Sequence, residues 1–195
     1  TWSTFLIVRE ELIKRFGEEG ARERILVTTD PEHGPLKRFA LEHRLDTLDI
    51  PQGIGGRFSG LSPVGLYPAS FSGVDIDLLL NGAKNTRDRC LVTDVLESPA
   101  AILAAVQILH YFQGRSNVVF MPYASALVGL SEWFCQLWAE SLGKRKGKER
   151  VGPTPIPALG VRDQHSQLQL YMEGPQDKIL LFLEPLYFNN DLAVP

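Results

Sequence analysis

The chain has 195 residues, 44% of them apolar and 22% charged, with a formal net charge of −3. That balance excludes a disordered or fibrous chain, and the length suffices for one large domain or two small ones, each with its own core. No window reaches the ~18 consecutive apolar residues of a membrane-spanning helix, and 23 acidic against 20 basic residues give no general attraction to nucleic acid or anionic lipid.

Cys90 and Cys135 are too few to frame a fold of this size, so buried thiols in a reducing, cytoplasmic setting are expected. The chain opens Thr1-Trp2-Ser3 without an initiator Met or a cleavage-site pattern, and closes Asp191-Leu192-Ala193-Val194-Pro195 with nothing to seal a fold edge. An internal piece of a longer protein is expected from both ends.

In chain order, Phe5, Val8, Leu12 and Phe16 recur at helical spacing and stop at Gly17, predicting an amphipathic helix over 3–16. Residues 25–29 form a β-branched run, 35–44 a helix and 47–50 a second strand, the spacing of a parallel crossover. Gly53, Gly55 and Gly56 then form a glycine-rich loop that runs into Ser62-Pro63, a capping residue followed by a proline preset for the first helical position. Further helices are predicted over 75–89 and, opened by Ser98-Pro99, over 98–112, the latter so rich in Ala and Leu that burial on most of its circumference is expected. Residues 118–121 read as a buried strand, 127–142 as a helix stopped by Gly143, and 144–150 as a charged loop. Residues 155–159 are extended, Asp163 is expected to cap a helix reaching residue 173, and 178–183 form a last core strand. The alternation of helix and strand gives an α/β protein in two halves that divide near residues 82–88. Ligands of open parallel sheets sit beyond the carboxyl ends of the strands.

Three polar clusters merit chemistry. In Gly55-Gly56-Arg57-Phe58-Ser59, glycines would let backbone N–H groups approach a ligand while Arg57 supplies a permanent cation for an oxyanion. The plain alternative is a tight turn with a surface arginine. In the helix over 127–142, Glu132, Gln136 and Glu140 fall four apart on one face, between stripes carrying Trp133, Phe134, Leu137 and Trp138. A carboxylate in the last turn meets the negative end of the helix dipole, and desolvation by tryptophan would raise its pKa further toward that of a general base; the alternative is a solvated stripe. His165, two residues past the expected cap Asp163, lies in a first helical turn where an imidazole stays neutral and can exchange protons; the alternative is a histidine hydrogen-bonded at a helix start. His33, His43 and His110 read as structural or exposed. The motifs HExxH, GxGxxG, GxSxG and GxxxxGK[ST] are absent, so metal hydrolysis, nucleotide binding and serine hydrolysis lack their minimal parts.

Taken together and in order, the strings GGRFSGLSPVGLYPASFSGVDI (55–76), EWFCQLWAESLGK (132–144) and GVRDQHSQLQLYMEGPQDK (160–178) resemble the glucose-6-phosphate isomerase family of bacterial type. The resemblance runs along nearly the whole chain. It implies three-layer αβα sandwiches: the C-terminal part of a first sugar-isomerase domain over 1–82 and most of a second over 83–195. It further implies a homodimer that interconverts glucose 6-phosphate and fructose 6-phosphate through a cis-enediolate, without metal or organic cofactor. By motif position, Glu140 is similar to the family's C1/C2 base, Arg57 to the enediolate-stabilising cation, and His165 to the ring-opening acid/base donated by the neighbouring subunit. Gly56 and Gln136 match substrate contacts. The family's phosphate loop lies upstream of the segment similar to 2–11 and its C-terminal lysine beyond Pro195, so the resemblance implies that the chain by itself lacks both and isomerises slowly. The alternative function is a sugar-phosphate-binding module without catalysis, for which a base at Glu140 has no use.

Overall fold

A computed structural model describes residues 2–188; the C-terminal end at 191–195, on which an expectation rests, lies outside the described residues. The chain divides into two units, Thr1–Thr86 and Arg87–Pro195.

In the first unit, α1 (Trp2–Arg22) is two helical stretches joined at Gly17, whose φ of 73° and ψ of 174° break the ladder. Gly17 therefore kinks the helix, at a positive φ that costs glycine nothing, rather than ending it. The strands β1 (Leu26–Thr29) and β2 (Asp46–Asp49) pair in parallel, Leu26 opposite Asp46, with α2 (Pro35–Glu42) as the crossover. Val27, Ala40 and Leu45 form the core, with Phe5, Ile25, Leu36 and Phe39 packed against them. Residues Gly56–Leu61, expected as an open loop, instead wind into a 3-10 turn that feeds α3 (Pro63–Phe71). Ser62 caps α3 as expected, its Oγ accepting from the Val64 N–H at 3.4 Å. Gly65 lets the chain close on itself here, since a Cβ would stand 2.1 Å from the Gly60 carbonyl oxygen. The division between the units falls within α4 (Ile76–Cys90).

The second unit is built on β3 (Asn117–Pro122), the centre of a three-stranded sheet ordered β6-β3-β7, in which β6 is Thr154–Pro157 and β7 is Lys178–Leu183. Both pairings are parallel, as the alternation of elements implies. Val118, Val119, Met121 and Pro122 of β3 are closed to solvent. Pro155 and Pro157, which have no N–H to give, are accommodated on the edge strand β6. The helix α6 (Val128–Leu142) covers the sheet with Ser131 and Phe134 buried, and the Phe134 ring stacks 4.7 Å from Phe120 and 4.9 Å from Trp138. The helix α7 (Arg162–Glu173) connects β6 to β7.

Three expectations need correction. Residues 144–150 are a hairpin of β4 (Lys144–Lys146) and β5 (Glu149–Val151), turned at Gly147 with φ 62°, not an unstructured loop. A positive φ in a two-residue turn matches the twist of the flanking strands, and a run dense in Lys and Arg hides that signal. The helix α5 (Pro99–Phe112) buries only Gln107, while Leu109 and Phe112 are 62% and 81% exposed. Its apolar residues surround the helix, and this chain packs one strip of it. Cys90 and Cys135 are free and half-buried rather than buried.

Ser98 starts α5 by two bonds, its Oγ donating to the Cys90 carbonyl at 2.8 Å and accepting from the Ala101 N–H at 3.3 Å. Ser98→Ala is expected to cost about 1–2 kcal/mol, read as a lower denaturant midpoint at constant slope. An unchanged midpoint would remove Ser98 from the account of how α5 begins.

Candidate functional site

The turn carrying Arg57 is held from below. The Ser59 hydroxyl, buried, donates to the Gly56 carbonyl at 2.6 Å, and the Phe58 N–H donates to the Gly55 carbonyl at 2.9 Å. Gly55 has an ordinary φ of −74°, and a Cβ added at either Gly55 or Gly56 would meet nothing within 4 Å. The glycines thus serve no strained backbone; they leave open space over the turn, where a ligand can approach the main chain. Arg57 is half-buried, with its guanidinium 5.4 Å from the centre of the Phe58 ring. Nothing in the spacing of this motif pointed to Ser59 as the residue that holds the turn.

On α6, Glu132, Gln136 and Glu140 share an exposed face, as their spacing predicts. The Gln136 side-chain amide donates to Glu140 Oε1 at 3.2 Å, one turn apart. Glu140 is exposed in this chain, which corrects the expectation that tryptophans shelter it. Phe134 turns to the sheet and Trp133 is itself 47% exposed, so the aromatic stripes flank the carboxylate without covering it. Burial, and then the charge of Glu132, pushes the Cys135 thiol up, away from a reactive thiolate.

The start of α7 also differs from expectation. Val161, not Asp163, precedes the helix, and Asp163 is its second residue. The Asp163 carboxylate reaches back to accept from the Leu159 N–H at 2.8 Å, and Arg162 Nε and Nη2 each donate to it at 2.9 Å. This chelating pair lowers the Asp163 pKa, the Arg162 hydrogen bond first and the Leu159 N–H next, with burial opposing them. His165 is exposed in the first turn, its N–H donating to the Val161 carbonyl at 3.1 Å. One residue earlier, Gln164 accepts a hydrogen bond from the Tyr123 hydroxyl.

Glu140 and His165 belong to the second unit and Arg57 to the first. Within the second unit the sheet separates the two former residues. The last turn of α6 lies at the amino edge: a Cβ on Gly152, two residues before β6, would stand 2.9 Å from the Leu142 carbonyl oxygen. At the same edge the Thr154 N–H donates to Ser116 at 2.8 Å. The first turn of α7 lies at the carboxyl edge, tied there by the Gly160 N–H to the Pro122 carbonyl at 2.9 Å. Six residues of β3 separate those edges by about 20 Å. Of the two residues only His165 stands where an open parallel sheet ordinarily presents its ligands; Glu140 stands at the other end. Among the described residues, no three His, Cys, Asp or Glu side chains are grouped to hold a metal ion.

The phosphoglucose isomerase family model matches residues 5–177, which takes in all of the helices and strands that carry these groups. The chain belongs to that family. It is 46% identical over its whole length to a glucose-6-phosphate isomerase of Carboxydothermus hydrogenoformans, covering 43% of that protein. A glucose-6-phosphate isomerase of Rubrobacter xylanophilus is 48% identical, again over the whole chain, with 44% of the relative covered. The crystal structure of a hypothetical protein from Thermus thermophilus superposes with a TM-score of 0.92 at 42% identity, covering all of this chain and 46% of that one. A glucose-6-phosphate isomerase structure from Chlamydia trachomatis, at 20% identity and a TM-score of 0.72, shares the fold over 89% of this chain and 35% of its own. The chain spans less than half the length of these curated relatives of the phosphoglucose isomerase family.

The lowered Asp163 pKa has a consequence for stability. A carboxyl whose folded pKa lies below its unfolded value, about 3.9 for Asp, stabilises the fold above that value and loses the contribution as pH falls through the folded pKa. Asp163→Asn is therefore expected to lower stability at pH 6 and flatten the acid side of the profile below about pH 4. Parallel acid profiles for the two chains, by thermal unfolding, would contradict this.

Proposed function

We propose that this chain carries the reacting groups of an aldose–ketose isomerase that interconverts glucose 6-phosphate and fructose 6-phosphate through a cis-enediolate. Family membership supplies the reaction class, and the residues present meet its chemical demands. Ring opening needs a group that protonates the ring oxygen as the anomeric hydroxyl loses its proton; His165 is that acid/base. Isomerisation then needs a carboxylate that takes the proton from C2 and returns it to C1 on the same face; Glu140 is that base. Its Oε1 accepts a hydrogen bond from the Gln136 amide one turn earlier on the same helix, which orients the carboxylate. As C2 loses its proton, charge builds on the carbonyl oxygen, and the permanent cation of Arg57 offsets it. The open backbone at Gly56 admits the substrate beside that cation. No metal or organic cofactor enters these steps.

One observation carries the reading further. The last turn of α6, with Glu140, and the first turn of α7, with His165, lie at opposite edges of one sheet, which supports a site that draws the two residues from different copies. The reading therefore has the protein working as a homodimer, with the His165 of a second copy completing the site around Glu140. The two units then correspond to the C-terminal part of a first sugar-isomerase domain and most of a second, in the cytoplasm.

The test uses a chimera in which this chain replaces the matching segment of the Carboxydothermus enzyme. Glu140→Gln in that chimera is expected to slow proton exchange at C2 in deuterated water by about 10²- to 10⁴-fold while sugar-phosphate binding is kept. Exchange that survives the substitution contradicts the role of Glu140. A parent chimera that binds both sugar phosphates but turns over neither favours the non-catalytic binding module instead.

A further inference from the structure

The exposed imidazole of His165 takes its aim from the few residues that start α7, and those residues are gripped by a side chain outside all three sequence motifs. Tyr123 follows the last residue of β3, where its N–H donates to the Leu183 carbonyl at 2.8 Å and extends the pairing with β7. Its ring meets Phe182 edge-on at 5.9 Å and packs against the buried cluster of Val119, Met121 and Ala158. The ring is thus fixed to the centre of the sheet.

From that base Tyr123 touches the chain leading to His165 twice. Gly160 passes directly over the ring, so closely that a Cβ there would lie 2.7 Å from three ring carbons. The phenolic hydroxyl donates to Gln164 Oε1, on the residue just before His165. Successive helix residues diverge by roughly 100°, so a Gln164 turned into the unit leaves His165 turned outward. The sheet therefore sets both the height of the α7 start, through Gly160, and its rotation, through Gln164.

We propose that Tyr123 is a positioning residue for His165: it fixes the first turn of α7 to the central strand, so that the imidazole is delivered at one angle from the carboxyl edge of the sheet. The proposal rests on the reading of His165 as the ring-opening group. Displacing such a group by about 1 Å costs on the order of a hundredfold in rate. The cost should fall on ring opening, the step His165 performs, and spare the proton transfer between C2 and C1.

Two substrates separate those steps in the chimera. Glucose 6-phosphate arrives as a closed ring, whereas erythrose 4-phosphate, with its O4 phosphorylated, has no ring to open. Tyr123→Phe and Gln164→Ala are expected to lower kcat/KM for glucose 6-phosphate by about 10- to 100-fold and to leave exchange at C2 of erythrose 4-phosphate within about threefold. Gln164→Glu keeps an acceptor for the Tyr123 hydroxyl and is expected to restore glucose 6-phosphate turnover. His165→Ala should show the same split more strongly. If His165→Ala shows the split and neither Tyr123→Phe nor Gln164→Ala does, or if they slow both substrates alike, the positioning role is overturned while the reading of His165 stands. If His165→Ala itself shows no split, that reading fails and the positioning role falls with it. A second measurement needs no turnover. In the 195-residue chain, Tyr123→Phe should speed exchange of the His165 amide, bonded to Val161, by about tenfold or more relative to the Leu180 amide in β7. Unchanged His165 exchange would overturn the proposal.

Discussion

Pairing β3 in parallel on both sides constrains everything that follows it. A parallel neighbour is reached only by a crossover, so the chain leaving β3 at Pro122 must return to the amino edge before β6 can begin at Thr154. The helix α6 makes that return, and its last turn, with Glu140, is delivered to the amino edge. The next crossover starts at the carboxyl edge, where the Gly160 N–H meets the Pro122 carbonyl, and delivers His165 there. The burial of Val118, Val119 and Met121 makes β3 the least movable part of this arrangement. That placement at opposite edges supports the proposed site built from two copies.

Much of this was legible in the residues alone. Ser62-Pro63 and Ser98-Pro99 mark helix starts because a hydroxyl cap followed by a preset φ has a local physical cause, and both helices begin there. The β-branched run at 25–29 and the apolar run at 118–121 are strands that alternate with helical periods. The face shared by Gln136 and Glu140 follows from helical periodicity, and the structure joins them by a hydrogen bond.

What stayed hidden depends on partners distant in sequence. Asp163 reads as a helix cap by type, yet its carboxylate satisfies the Leu159 N–H from inside the first turn, because Arg162 holds it there. Composition describes α5 as buried all round, but burial is a property of neighbours, and this chain gives the helix one packed strip. The same holds for Glu140, whose flanking aromatics turn to the sheet or stay exposed. Tyr123 carries no motif at all: its importance comes from Gly160 and Gln164, some forty residues downstream, and only the folded sheet brings them to it.

Subunit mixing probes the two-copy site most directly. Chimeras carrying Glu140→Gln and His165→Ala are each prepared inactive, then unfolded, mixed in equal amounts and refolded together. If the imidazole comes from the second copy, half of the dimers are mixed and each has one intact site, so about a quarter of the parent activity returns. If both residues serve one site from the same chain, every site in the mixture stays defective. An activity that remains at the level of the separate variants, with mixed dimers shown to form, would contradict the account.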